Sequence, residues 1–217
     1  MASNLLKNTQ AIIWDWNGTL LDDLDVCINA MNRMLKKRNY PLLTEARYKE
    51  IFTFPVQDYY VKAGFDFSRD DWDRVAMEFI ANYRENVHRS VLHHEVINIL
   101  QQFRLLGKRQ FILSAMQQDF LMETISARLD PSMFETIAGL NDHYAATKVE
   151  NARLLVQEIG LPKSKIIMIG DTIHDFEVAE EAEIGCILVA NGHQSKKRLE
   201  GTWARVIEEL RELYFKL

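Results

Sequence analysis

The chain has only two cysteines in 217 residues, Cys27 and Cys186. Neither has metal-ligand or redox spacing, so no disulfide framework or thiolate metal site is expected. Both read as thiols buried in a reducing compartment. No apolar run approaches the length of a membrane span, and Met1 to Gln10 has no apolar core of signal-peptide length. The expectation is a cytoplasmic protein with no membrane partner. There is no excess of basic charge either: the net charge is -5, which provides no electrostatic footprint for nucleic acid or an anionic lipid surface. Internal repeats and low-complexity segments are lacking. What remains is an ordinary globular composition, 47% hydrophobic and 26% charged, in a length that suits one large domain or a core with a smaller insert.

The pattern along the chain changes twice. Residues 11–15 form a short Ile-rich apolar run and predict a strand, broken by Gly18 and Thr19. Asp23 then stands as N-cap of a helix over 24–38, stopped by Asn39-Tyr40-Pro41. From Pro41 to about Val91 the periodicity is helical throughout. The predicted helices there are 44–51, 56–63 ending at Gly64, and 69–88 capped by Ser68. Beyond that, helices at 94–106, 117–128, 147–159 and 174–183 alternate with strands at 109–113, 136–138, 165–169 and 186–190. A final amphipathic helix is predicted over 203–215. Strands alternating with helices imply a parallel sheet covered on both faces. The fold class is therefore α/β, a Rossmann-like parallel sheet, with an all-helical segment inserted after the first strand. The division is residues 1–20 and 93–217 for the core and 21–92 for the insert.

Two remote segments carry the chemistry, Trp14-Asp15-Trp16-Asn17-Gly18-Thr19-Leu20 and Gly170-Asp171-Thr172-Ile173-His174-Asp175. Each follows an apolar strand and places an Asp at its end. In an open parallel sheet that is where ligands bind. Asp15 and Asp171 can meet there and share a hard cation such as Mg²⁺, which takes oxygen ligands. Asp175 lies one helical turn beyond Asp171 on the same face; an acid there also suits the helix dipole without any catalytic part. Gly18 and Thr19 suit a tight turn whose bare N–H groups bind phosphate oxygens.

The order of motifs resembles that of the haloacid dehalogenase superfamily of phosphatases, specifically phosphoglycolate-phosphatase-like hydrolases with a helical C1-type cap. The resemblance runs from about residue 11 to about residue 195. It rests on Asp15-Trp16-Asn17-Gly18-Thr19-Leu20, on Ser114 after Phe111-Ile112-Leu113, on Lys148, and on Gly170-Asp171 with Asp175. It implies Mg²⁺-dependent hydrolysis of a small phosphorylated metabolite through an aspartyl-phosphate. Asp15 is then the nucleophile. Asp15, Asp171 and the residue-17 carbonyl hold the metal, with Asp175 in support, and Ser114, Lys148, Gly18 and Thr19 hold the phosphate. Each has a plainer role as well: Asp15 and Ser114 as turn residues, Lys148 as a solvated lysine. The departure from the usual Lys-Pro is Lys148-Val149.

Asn17 is the larger departure. The family's second Asp protonates the leaving oxygen and then activates water, and an amide cycles no proton. Four readings follow: esters whose leaving groups need little protonation, a substitute acid such as Asp22, a long-lived phosphoenzyme, or a phosphate-ligand binder without turnover. A dehalogenase or a phosphonate hydrolase on the same scaffold is the other alternative. The first needs no metal, against Asp171 and Asp175, and the second needs a cap lysine such as Lys62. In the insert, the loop Phe52-Thr53-Phe54-Pro55 is expected to face Asp15 and read the leaving group. Trp14 and Trp16 are expected to pack in the core, His93, His94 and His174 to lie at the surface, and the loop 191–194 to line the site.

Overall fold

The computed structural model describes residues 5–140 and 147–216. In chain order the elements are α1 (Leu5–Asn8), β1 (Ala11–Trp14), β2 (Leu21–Asp22), α2 (Leu24–Lys37), α3 (Glu45–Ile51), α4 (Val56–Ala63), α5 (Trp72–Asn86) and β3 (Val91–Leu92). The remainder are α6 (Val96–Leu105), β4 (Arg109–Gln117), α7 (Gln118–Ser126), β5 (Thr136–Leu140), α8 (Lys148–Ile159), β6 (Ile166–Gly170), α9 (Ile173–Glu181), β7 (Gly185–Val189), α10 (Lys196–Leu199) and β8 (Arg205–Ile207).

Six strands form one sheet in the order β5-β4-β1-β6-β7-β8, parallel throughout. Every residue of β1 and β6 is buried, as expected for parallel strands covered on both faces. The chain leaves β1, builds β4 and β5 on one side, then returns to lay β6 on the other. This reversal at β1 opens a crevice at the carboxyl ends of the strands. Trp14 is in register with Ile112 on β4 and Ile169 on β6, and the Asp15 N–H donates to the Ile169 carbonyl at 2.9 Å. Asp15 and the end of β6 are thereby level.

The helical insert leaves and rejoins the core through an antiparallel ribbon, Leu21 opposite Leu92 and Asp22 opposite Val91. Helices α2 to α5 lie between its two strands. Thr44 caps α3 and left-handed Gly64 ends α4. Two caps differ from expectation. Asp71, rather than Ser68, accepts the first-turn N–H of α5, because the Ser68 hydroxyl is turned back onto Asp66 at 2.6 Å. Asp23 makes no side-chain cap on α2, since its carboxylate is drawn into the site described below.

The expected helix over 203–215 is replaced by β8 and a 3₁₀ segment, Leu210–Lys216. Open backbone groups on the edge of β7 pair with 205–207, and this pairing outweighs the local helical pattern. The apolar spacing still buries Leu210 and Leu213. Trp203, at the head of the expected helix, is 92% exposed.

Trp14 and Trp16 are fully buried, as expected. The Trp14 indole donates to Gln110 Oε1 at 3.1 Å, and its ring stacks on Phe103 at 5.9 Å. Trp14→Ala should therefore cost about 3–5 kcal/mol, as large aromatic truncations do. Trp203→Ala should stay within about 0.5 kcal/mol. Urea denaturation of the two variants checks the contrast.

Candidate active site

Asp15, the first residue beyond β1, is buried at 6% exposure. Its Oδ1 accepts a short bond from Lys148 Nζ. Lys148 opens α8 behind a Thr147–Glu150 capping box, which places a lysine where the helix dipole disfavours one. It is also buried, and a buried ammonium requires partners. Those partners are Asp15 and Asp175, whose Oδ1 lies 2.6 Å away. Burial alone would depress its pKa, but the two carboxylates hold it raised.

Asp175 sits in the first turn of α9. Its Oδ2 accepts from the Asp171 N–H at 3.2 Å, the Thr172 N–H at 3.0 Å and the Thr172 hydroxyl at 2.7 Å. Both of its oxygens are engaged, so it acts as helix cap and as lysine anchor at once. Burial pushes its carboxyl up, but Lys148 and the hydroxyl of Thr172 bring it below the ordinary carboxylate range. Asp171 accepts from the Thr19 hydroxyl at 3.0 Å and from the His193 N–H at 2.6 Å.

The oxygens of Asp15, Asp171 and Asp175 come within 4.8 Å of one another, against the single ammonium of Lys148. Burial, the largest influence, raises Asp15 to about 8, with Asp175 and Asp171 adding to it and Lys148 opposing. Burial likewise raises Asp171 to about 6, although His193 lowers it. Carboxylates that retain protons for want of positive charge suit a hard divalent cation. The surrounding backbone makes room for them. A Cβ on Gly18, whose φ is +73°, would lie 2.3 Å from Asp171 Oδ2, and one on Gly192 would lie 2.2 Å from the same atom. The donor set therefore fits Mg²⁺.

Gly18 is required for this close approach and not for its N–H. That group donates to Asp23 Oδ1 at 2.9 Å and to the Leu21 carbonyl at 2.8 Å, so the phosphate contact expected of it is not available. The Thr19 hydroxyl serves the carboxylates. Ser114 is buried and lies inside β4, short of the strand's end at Gln117. It sits where the register with β5 shifts between Leu113 and Gln117. Its oxygen accepts from the Met116 N–H at 3.1 Å, leaving the hydroxyl proton to donate.

Asn17 does not stand alone. Its amide donates to Asp23 Oδ2 at 2.7 Å and to the Tyr83 hydroxyl at 2.9 Å. Tyr83 donates to the same oxygen at 2.7 Å, and His193 Nε2 lies 3.2 Å from Oδ1. Burial would raise Asp23, but His193 and these donors lower it to about 2. Burial would likewise depress His193, and Asp23 raises it to about 9. Asp22, suggested above as a substitute acid, is about half exposed on β2; the buried acid is its neighbour. The loop 191–194 was expected to line the site, and its His193 does; what sequence reasoning missed is Asp23 and the pairing of His193 with it. Asp23 was disguised as a helix cap, and the pairing joins residues 170 positions apart with no motif to announce it.

The remaining histidines divide. His94 is exposed, but His93 is largely buried, its Nε2 3.1 Å from the Gly18 carbonyl. His174 stacks on Phe54 at 4.6 Å. Both Phe52 and Phe54 line a cavity of about 290 Å³ that also holds Asp15, Asn17, Ser114, Lys148 and Asp171. The Phe52 carbonyl accepts from Gln194 Nε2 at 2.9 Å and Arg198 Nη1 at 2.6 Å, which pins this loop to the core. Lys62 is exposed and does not line the cavity, which removes the lysine a phosphonate hydrolase requires.

A carboxyl raised on folding makes stability fall as pH rises from its unfolded to its folded pKa. In EDTA, melting temperature should therefore fall between about pH 4 and pH 8, the window set by Asp15 and Asp171. Mg²⁺ should flatten that fall. His193 should add a second loss between 6.5 and about 9, present in EDTA and Mg²⁺ alike and absent from His193→Gln. Calorimetry across pH in both conditions checks the sign.

Among proteins of known sequence, the chain is 24% identical over 212 residues to N-acetylmuramic acid 6-phosphate phosphatase of Pseudomonas aeruginosa, covering 94% of this chain and 92% of that one. It is 27% identical over 209 residues to phosphoglycolate phosphatase of Chromobacterium violaceum, covering 87% of each. The fold superposes on a haloacid dehalogenase-like hydrolase from Streptococcus pneumoniae with a TM-score of 0.83 at 18% identity, over 96% of this chain and 99% of that one. The family described as haloacid dehalogenase-like hydrolase matches residues 12–189, a span that begins in β1 and ends with β7 and so takes in Asp15, Ser114, Lys148 and Asp171. With its paired strand-end acids, its buried lysine and this match, the chain belongs to the haloacid dehalogenase-like hydrolases.

Proposed function

We propose that this hydrolase is a Mg²⁺-dependent phosphatase acting on a small phosphate monoester through an aspartyl-phosphate. The observation that carries the reading is the buried cluster of Asp15, Asp171 and Asp175 around Lys148, opening into the cavity beneath the helical insert. The Pseudomonas aeruginosa and Chromobacterium violaceum relatives are both named for small phosphorylated compounds.

In this reading Asp15 attacks phosphorus and the ester oxygen leaves on the opposite side. Lys148 compensates charge on the equatorial phosphoryl oxygens, and Asp175 holds Lys148 in place. The Ser114 hydroxyl donates to one of the same oxygens. Asp15, Asp171 and the residue-17 carbonyl hold Mg²⁺, which supplies positive charge at the transferring group when bound. Residues 21–92 serve as the cap, and the Phe52–Pro55 loop excludes water from the acyl phosphate. A dehalogenase needs no such carboxylate cluster. A binder without turnover is motivated by Asn17 alone.

Hydrolysis of 4-nitrophenyl phosphate should be abolished by EDTA and restored by Mg²⁺. Asp15→Asn should reduce it to background while the variant keeps its circular dichroism spectrum. Full activity in EDTA would overturn the metal assignment. Substituting Phe52 or Phe54 by Ala should reorder a panel of phosphate esters by kcat/KM without changing Mg²⁺ affinity. A uniform loss over the panel would make the loop structural only.

A further inference from the structure

We propose that the ester hydrolysed here is an aryl phosphate, whose leaving group is an uncharged phenolic ring. This rests on the phosphatase reading above and specifies its substrate. Two independent features of the cavity lead to it.

The first is the aromatic lining of the cavity that holds Asp15. Phe52, Phe54, Tyr59, Tyr60, Trp72 and Phe79 line it, with Phe52 against Tyr59 at 5.2 Å, and Tyr60 against Trp72 at 5.4 Å and Phe79 at 6.1 Å. These pairs meet edge to face, the arrangement that also accepts another ring. Lys148 is the only Lys or Arg among the described residues lining the cavity, and it is committed to Asp15 and Asp175. His193 is committed to Asp23. A leaving group carrying a carboxylate would be desolvated here without a counter-ion. A sugar would bring several hydroxyls against ring faces and leave them unpaired.

The second is the proton donor. Asn17 carries none to exchange. Both oxygens of Asp23 are occupied by Asn17, the Gly18 N–H, Tyr83 and His193, so Asp23 accepts and does not donate; both ring nitrogens of His193 are likewise engaged, Nε2 by Asp23 and Nδ1 by the Tyr48 hydroxyl at 3.0 Å. The apolar wall by itself would admit an aliphatic or an aromatic alcohol, and the missing acid distinguishes them. A phenol ionises at ~10, far below an alcohol-like hydroxyl such as that of water at ~15.7. A phenolate therefore departs without being protonated, and an alkoxide does not.

The steps balance without another reactant. A carboxylate oxygen of Asp15 bonds to phosphorus as the bond from phosphorus to the aryl oxygen breaks, and the electron pair leaves on the phenolate. Water then bonds to phosphorus, the bond to Asp15 breaks, and the pair returns to the carboxylate. The proton released from that water neutralises the phenolate.

Phenyl phosphate, benzyl phosphate and phosphoglycolate, compared by kcat/KM in Mg²⁺, test this. Phenyl and benzyl phosphate present the same ring with phenolic and alkyl leaving groups. Phenyl phosphate should exceed benzyl phosphate by at least about 10²-fold, the usual worth of a general acid, and phosphoglycolate should be the poorest. Across substituted phenyl phosphates, log kcat/KM should fall steeply as leaving-group pKa rises. Asn17→Asp should narrow the gap between phenyl and benzyl phosphate. Benzyl phosphate or phosphoglycolate turned over as well as phenyl phosphate would overturn the aryl assignment and leave the phosphatase reading standing. Turnover of no ester at all would overturn both.

Discussion

Three carboxylates and one ammonium, all buried, meet at the end of a parallel sheet, and the surrounding structure is organised around keeping them together. An isolated charge in such a place would be neutralised or exposed. Here Lys148 is shared by Asp15 and Asp175, and Asp171 is held by a hydroxyl and a backbone N–H. The capping boxes of α8 and α9 place Lys148 and Asp175 within reach of each other. Gly18 and Gly192 let backbone approach Asp171 more closely than any side chain permits. The unbalanced negative charge that remains is what a divalent cation answers.

A second buried centre adjoins the first. Asp23 receives Asn17 and Gly18 from the β1 turn, Tyr83 from α5 and His193 from the loop after β7. It thereby joins the helical insert to the core beside the cavity. The amide at position 17 suits this centre. A carboxylate there would face Asp23 Oδ2 at hydrogen-bond distance, and two like charges so close are unfavourable. The absence of an acid and the stable junction both follow from the amide of Asn17, and a leaving group needing no proton is compatible with both.

Much of this was legible in order and spacing. The strands β1 and β6 were plain because four consecutive apolar residues before a Gly or Asp leave few alternatives, and α4 because Gly64 ends it. The acids of the first and last motifs were legible because each follows such a strand. The terminal helix was misread because β7 has an open edge, and edge pairing depends on a neighbour remote in sequence. Asp23 was misread for a related reason: an Asp before a helix has a local use, and only packing shows that it is occupied elsewhere.

The sequence by itself determined the alternation of strands and helices, the positions of Asp15, Ser114, Lys148 and Asp171, and the absence of an acid at Asn17. These depend on local pattern and chain order. Tertiary structure decided what each group touches. It committed the Gly18 N–H to Asp23, gave Asp175 to Lys148, and brought His193 to the site. It also assembled rings from the loop after α3 and from α4 and α5 into one uncharged wall. Those outcomes depend on which side chains are buried together, and burial is what makes an unpaired charge costly and drives it to a partner.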